Sequence, residues 1–93
     1  MNNLNIKVVF QGGLGFVRFT LFHHGHVVQT VVMNGDDPSD NRDLSLAPGL
    51  YLISADGVSP ARGTTIRFNK PSSPAPTPIA EGPIDTSYAI MIN

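Results

Sequence analysis

The chain has 93 residues, 41% of them apolar and only 14% charged, with a formal net charge of −1 and no cysteine. That length makes one domain with a single core, small enough to be marginal alone, and the apolar content excludes disorder throughout. The near-neutral charge gives no field to steer nucleic acid or anionic lipid, disulfides are excluded, and no apolar run approaches the roughly 20 residues of a membrane-spanning helix.

The shortage of charge is itself informative, since an ordinary soluble domain carries roughly 25%. There are two lysines, Lys7 and Lys70, and the arginines Arg18, Arg42, Arg62 and Arg67 are scattered. Either another chain covers part of the surface, or Asn, Ser, Thr and Gly keep it wet. The start, MNNLNIKVVFQ, lacks the basic region and apolar block of a signal peptide. The expected compartment is therefore open: cytoplasmic if Met1 is the native start, extracytoplasmic if Met1 replaces a removed leader.

From Leu4 to Phe10 the pattern alternates, with Leu4, Ile6, Val8 and Phe10 on one face and Asn5 and Lys7 on the other. That is the period of a half-buried strand. Gln11-Gly12-Gly13-Leu14-Gly15 follows as a glycine-rich connection. Phosphate-binding loops open onto a helix N-terminus, whereas the next segment here is β-branched and aromatic, so the reading is a hairpin connection.

Phe16 to Met33, FVRFTLFHHGHVVQTVVM, reads as two strands folded back at His24-Gly25. A two-residue loop there pairs His23 with His26, Leu21 with Val28, Phe19 with Thr30 and Val17 with Val32, a core layer. The opposite face then carries Phe22 with Val27, Thr20 with Gln29, Arg18 with Val31 and Phe16 with Met33. It is too apolar to be fully solvated, which makes Phe16, Arg18, Phe22, Val27, Val31 and Met33 candidates for an interface.

Asn34 to Asp43 is a polar, acidic interruption in which Asp37 before Pro38 suits a helix cap and at most one helical turn. Strands are expected at 43–47 and 50–55 around the tight turn Ala47-Pro48-Gly49, with Asp56-Gly57 ending the second, and another at 64–69. Five of the eight prolines fall within 71–83. The 70–83 segment is expected to be an extended, polyproline-like crossover or linker without a regular ladder, rising about 3.1 Å per residue. Alternation returns over 85–92 as a terminal strand. It either completes a sheet of its own chain or pairs with a neighbouring subunit, and the first is expected because swapping is the rarer arrangement.

Leu44-Ser45-Leu46-Ala47-Pro48-Gly49-Leu50-Tyr51-Leu52-Ile53 has the form LxLxPGxYxI and is followed by Asp56-Gly57. This stretch resembles the strand–turn–strand signature of transthyretin-like and carboxypeptidase-regulatory-like β-sandwich domains, which are common accessory modules. The long acidic loop stands where that family has a short dG-type one. The resemblance implies a seven-stranded sandwich with no catalytic residues of its own, and it implies no ligand.

Three constellations bear on chemistry. His23 and His26, directly opposed with Cβ atoms about 5.5 Å apart or less, are weak metal candidates, because two imidazoles fall short of the usual four ligands. Asp36, Asp37, Asp40 and Asp43 do not reproduce the spacing of a calcium loop and lack its terminal glutamate. Asn34, Asp36, Asn41 and Arg42, with an exposed ring, form the candidate sites of a small carbohydrate-binding domain. No GxSxG elbow presents a serine, there is no cysteine nucleophile, and Glu81 is the only glutamate, so catalysis is not expected.

The expectation is one all-β domain over 1–93, an antiparallel β-sandwich of about seven strands, immunoglobulin-like or transthyretin-like. Its strands are placed at 4–10, 16–23, 26–33, 43–47, 50–55, 64–69 and 85–92. The expected role is a non-catalytic structural or protein-interaction module, without cofactor, nucleic acid or membrane, that self-associates as a homo-oligomer or docks on a protein partner. A carbohydrate-binding domain is the alternative.

Overall fold

A computed structural model describes residues 3–36, 39–70 and 77–93. Its elements are β1 (Leu4–Phe10), β2 (Leu14–His23), β3 (His26–Asp36), β4 (Ser39–Leu44), β5 (Gly49–Ser59), β6 (Thr64–Lys70), β7 (Thr77–Ile79) and β8 (Gly82–Ile92). They form two four-stranded antiparallel sheets, the first in the order β4-β1-β6-β7 and the second β3-β2-β5-β8. The chain is a β-sandwich.

The period-two pattern of β1 builds one wall of the core: Leu4, Ile6, Val8 and Phe10 are fully buried, with Ile66 and Phe68 of β6 beside them. The second sheet answers with Val17, Phe19 and Leu21 of β2, Tyr51, Ile53 and Ala55 of β5, and Ile84, Ile90 and Ile92 of β8. Rings tie the layers together. Phe19 meets Phe68 edge-on at 6.3 Å, and Phe68 meets Tyr88 edge-on at 4.8 Å, the offset geometry aromatic quadrupoles favour.

At the hairpin tip the expected two-residue turn is present, with positive φ at both His24 (54°) and Gly25 (78°), as a turn matching the strand twist requires. His23 faces His26 and Phe22 faces Val27, but Leu21 then faces Gln29, so Val28 is an extra residue on β3. The bulge moves every later pair by one: Phe19 meets Val31 and Val17 meets Met33, where Thr30 and Val32 were expected. Because side chains alternate, the shift exchanges the faces of β3. Val31 and Met33, expected on the outer face, are core residues, while Val32 points outward and is 46% exposed.

Other boundaries also differ. The strand expected at 43–47 lies at Ser39–Leu44 instead, pairing with β1 from Leu4–Leu44 to Val9–Ser39. A polar segment can serve there because β4 is a sheet edge; Leu44 and Leu46 pack against the core. The helix cap expected at Asp37-Pro38 lies outside the described residues. β5 runs past Asp56-Gly57 to Ser59, because Gly57 lets the β2 backbone approach: a Cβ there would collide with the Phe16 carbonyl oxygen. The proline-rich segment does carry a short strand, β7, where Pro78 is tolerated on an edge; residues 71–76 lie outside the description. β8 pairs with β5 of its own chain along its whole length, from Gly49–Ile92 to Ser59–Gly82.

The reassigned faces of β3 make a direct prediction. Val31→Lys buries an unpaired charge and should cost about 3–5 kcal/mol of stability, whereas Val27→Lys, on an exposed side chain, should change it by about 0.5 kcal/mol or less. Urea unfolding followed by circular dichroism separates the two.

Candidate functional site

The outer face of the second sheet is ordered in rows by its registers. Asn34, Phe16, Val58 and Pro83 make the first, and Val32, Arg18, Asp56 and Asp85 the second. Thr30, Thr20, Ser54 and Ser87 form a row of hydroxyls. Val27, Phe22, Leu52 and Ala89 follow, and Leu50 with Met91 ends the face. A polar belt thus separates two apolar ends. Leu50, Leu52 and Met91 are each more than half exposed.

Within the belt, Arg18 forks onto Asp56, Nε donating to Oδ1 at 3.2 Å and an Nη to Oδ2 at 2.7 Å. Both side chains are about half exposed, so the pair contributes at most about 1 kcal/mol; it offsets one of the two carboxylates of its row and leaves Asp85 as the other. Two apolar hollows flank Leu52. One, of about 470 Å³, lies between Phe22, Leu52 and Ala89 with Ser54 and Ser87 at its side. The other, about 540 Å³, runs from Phe22 and Leu52 to the hairpin tip and Pro48-Gly49.

The wall of the second hollow is built by His23. Its Nδ1 lies 3.0 Å from the Leu50 carbonyl oxygen; since a carbonyl only accepts, Nδ1 carries the proton. The ring stacks on Tyr51 at 4.4 Å and 16° and meets His24 at 4.0 Å. Gly49, at φ 141°, leaves the space the imidazole fills, since a Cβ there would strike His23 Cε1. Tyr51 in turn donates its hydroxyl to the Ala47 carbonyl at 2.7 Å, across the Pro48-Gly49 turn.

No family model matches the chain, and no curated protein or solved structure does.

Of the six interface residues expected from sequence, Phe16, Arg18, Phe22 and Val27 share this face, and Val31 and Met33 lie beneath it in the core. Sequence reasoning missed Leu50, Leu52, Val58 and Met91. The signal was present in β5, where apolar residues occupy both alternations of Leu50-Tyr51-Leu52-Ile53.

His23 and His26 are opposite in register, but the His23 ring is committed to Tyr51 and Leu50. No group of three His, Cys, Asp or Glu gathers among the described residues. The carbohydrate candidates are divided between the sheets. Asn34 stands beside Phe16 on the second, while Asn41 and Arg42 are on β4 of the first. There the nearly buried Asn5 donates its side-chain amide to Asn41 Oδ1 at 2.6 Å and Asp43 Oδ1 at 2.8 Å, with the Arg42 carbonyl at 3.4 Å. The Asp36 side chain lies outside the description.

Behind the face, the Tyr88 hydroxyl is buried and makes no hydrogen bond of good geometry. Burial pushes its pKa above the ordinary value of 10, against weaker lowering by the Thr77 and Thr86 side chains. In the unfolded chain Tyr88 ionises from its ordinary pKa upward while the folded group keeps its proton, so stability must fall as pH rises through and beyond about 10. Tyr88→Phe should remove that component of the alkaline loss and, by deleting an unpaired polar group, raise stability by about 1 kcal/mol at neutral pH. Urea titrations at pH 7 and pH 10.5 measure both effects.

Proposed function

We propose that the chain is a non-catalytic structural or protein-interaction module that self-associates or docks on a protein partner through the outer face of the second sheet. One observation carries the reading. Every large apolar side chain left exposed among the described residues belongs to the second sheet: Leu14 and Phe16 of β2, three valines of β3, Leu50, Leu52 and Val58 of β5, and Met91 of β8. The outer face of the first sheet instead carries Asn5, Lys7, Asn41, Asp43, Thr65 and Arg67, with Val9 as a half-buried apolar residue among them. Solvation alone gives no reason for such asymmetry; contact with another surface does. In this reading the chain is an accessory module, immunoglobulin-like or of the transthyretin-like kind that residues 44–53 resemble.

Leu52→Asp tests the face at its leucine end without touching the core. It should lower the mass seen by light scattering at high concentration, or abolish the co-purification of a partner, while moving the unfolding midpoint of dilute protein little. A wild-type protein that is monomeric at both low and high concentration, with Leu52→Asp changing neither scattering nor co-purifying proteins, would sink the reading.

One observation favours the second reading, a small carbohydrate-binding domain. Phe16 is 44% exposed directly opposite Asn34, with the Arg18–Asp56 pair in the adjacent row, and a ring flanked by amide and charged groups suits a sugar. Binding on a glycan array that is lost in Phe16→Ala supports it, and an array silent with wild type removes it.

A further inference from the structure

Among the described residues the sandwich has four sheet edges, and the charges and prolines that natural proteins use against strand addition are spread unevenly over them. β4 carries Arg42 and Asp43; β7 has three residues, one of them Pro78; β8 carries Pro83 and Asp85 in its first half and leaves Thr86 to Ile92 without either. β3 has the longest run without them. From Val27 to Gly35 it has no charged residue and no proline, and Val27, Val28 and Val32 are about half exposed on it. Its one device is the bulge at Val28, which interrupts the hairpin end and leaves Gln29 to Gly35 in regular register with β2.

We propose that this free edge pairs with the same edge of a second copy of the chain, antiparallel, about a two-fold axis at Val32. Residues opposite each other in an antiparallel ladder must point to the same face, so the axis falls at a residue and not between two. The regular, uncharged stretch runs from Gln29 to Gly35, and its midpoint is Val32. In that register Val32 meets Val32 of the second copy on the outer face, and Thr30 meets the second copy's Asn34, all three exposed in the single chain. On the inner face Val31 meets Met33, two buried residues that join the cores. The match is self-complementary: the same edge serves both chains, so the contact closes at two copies and does not propagate. Main-chain hydrogen bonds supply the adhesion, and the valines exclude water from them. This inference stands on the edge and does not depend on the outer face of β5 and β8 being a docking surface.

The chain lacks cysteine, which permits a clean test. Opposed Cα atoms in such a pair are about 4.5–5.5 Å apart, inside the range of about 4.4–6.8 Å a disulfide spans. Val32→Cys should therefore cross-link to itself under mild oxidation. Val27→Cys should not: it is the more exposed position, 56% against 46%, but lies beyond the bulge and away from its own copy. Thr30→Lys, a substitution at an exposed edge position, should convert the wild-type dimer to monomer in sedimentation equilibrium, with the unfolding curve unchanged at dilutions where the wild type is itself monomeric. Val32→Cys cross-linking no faster than Val27→Cys, or wild-type and Thr30→Lys sedimenting alike, overturns the proposal. Leu52→Asp should leave both results unaltered, so failure of the edge and failure of the face are read separately.

Discussion

The second sheet depends on a register set by two adjacent features, the His24-Gly25 turn and the extra residue Val28. The turn starts β3 in one alternation and the bulge switches it to the other. Both alternations of Val27-Val28-Gln29-Thr30-Val31-Val32-Met33 are apolar enough to line a core. The bulged register places Val31 and the longer Met33 against Val17 and Phe19, and leaves Thr30 outside. The unbulged register would bury Thr30 against Phe19, at the cost of desolvating a hydroxyl. One polar residue thus outweighs what the valines leave undecided. From that choice follow the position of Val32 at the open edge and the removal of Met33 from the outer face.

Two glycines make the rest of the sheet possible. Gly57 lets β5 continue alongside β2 where any side chain would meet the Phe16 carbonyl, and so carries Val58 to its place beside Phe16. Gly49 opens the space for His23, which then stacks on Tyr51 and bonds to Leu50. His23, a weak metal candidate in the sequence, packs in the structure on Tyr51. It braces the corner from which Leu50 and Leu52 project. The two apolar ends of the outer face therefore rest on separate supports, Gly57 at one and the His23–Tyr51 stack at the other, with the Arg18–Asp56 fork between them.

Where one period dominated, the sequence was legible. β1 alternates, and four of its five apolar residues, Leu4, Ile6, Val8 and Phe10, are the fully buried ones, with Val9 half-buried on the other face; the two-residue turn was legible because His-Gly at a tip suits positive φ. The sandwich class follows from such segments. Illegibility came from three physical sources. A bulge has no marker in a run whose two alternations are both apolar, so Val31 and Met33 were assigned to the wrong face. An edge strand need bury only one side and can be as polar as Ser39–Asp43 or contain Pro78, so β4 and β7 do not look like strands. Finally, Asp56-Gly57 reads as a stop in isolation, and only the approach of β2 makes it a continuation. The same limits govern the candidate site: Phe16, Phe22 and Val27 were visible within one hairpin, but their neighbours Leu52, Val58 and Met91 arrive from strands that only the topology brings alongside.

Edge and face use different parts of the second sheet, and the geometry lets both operate. Pairing at β3 consumes main-chain donors and acceptors along one side and covers Val32, yet Leu50, Leu52, Ala89 and Met91 lie on β5 and β8, across β2 from that edge. A two-fold axis perpendicular to the sheet keeps both outer faces on the same side. The charged rows then continue from one copy into the next through Val32, each hydroxyl row meets the other copy's Asn34–Phe16 row, and the Leu50–Leu52 ends of the two copies fall at opposite corners of one eight-stranded surface. A partner docking on that surface would meet two equivalent apolar patches separated by polar belts, so binding to both would gain from the effective concentration the first contact provides. Low charge, which leaves a lone small domain poorly solvated, suits the proposed contacts of the valine edge and the leucine face with other protein.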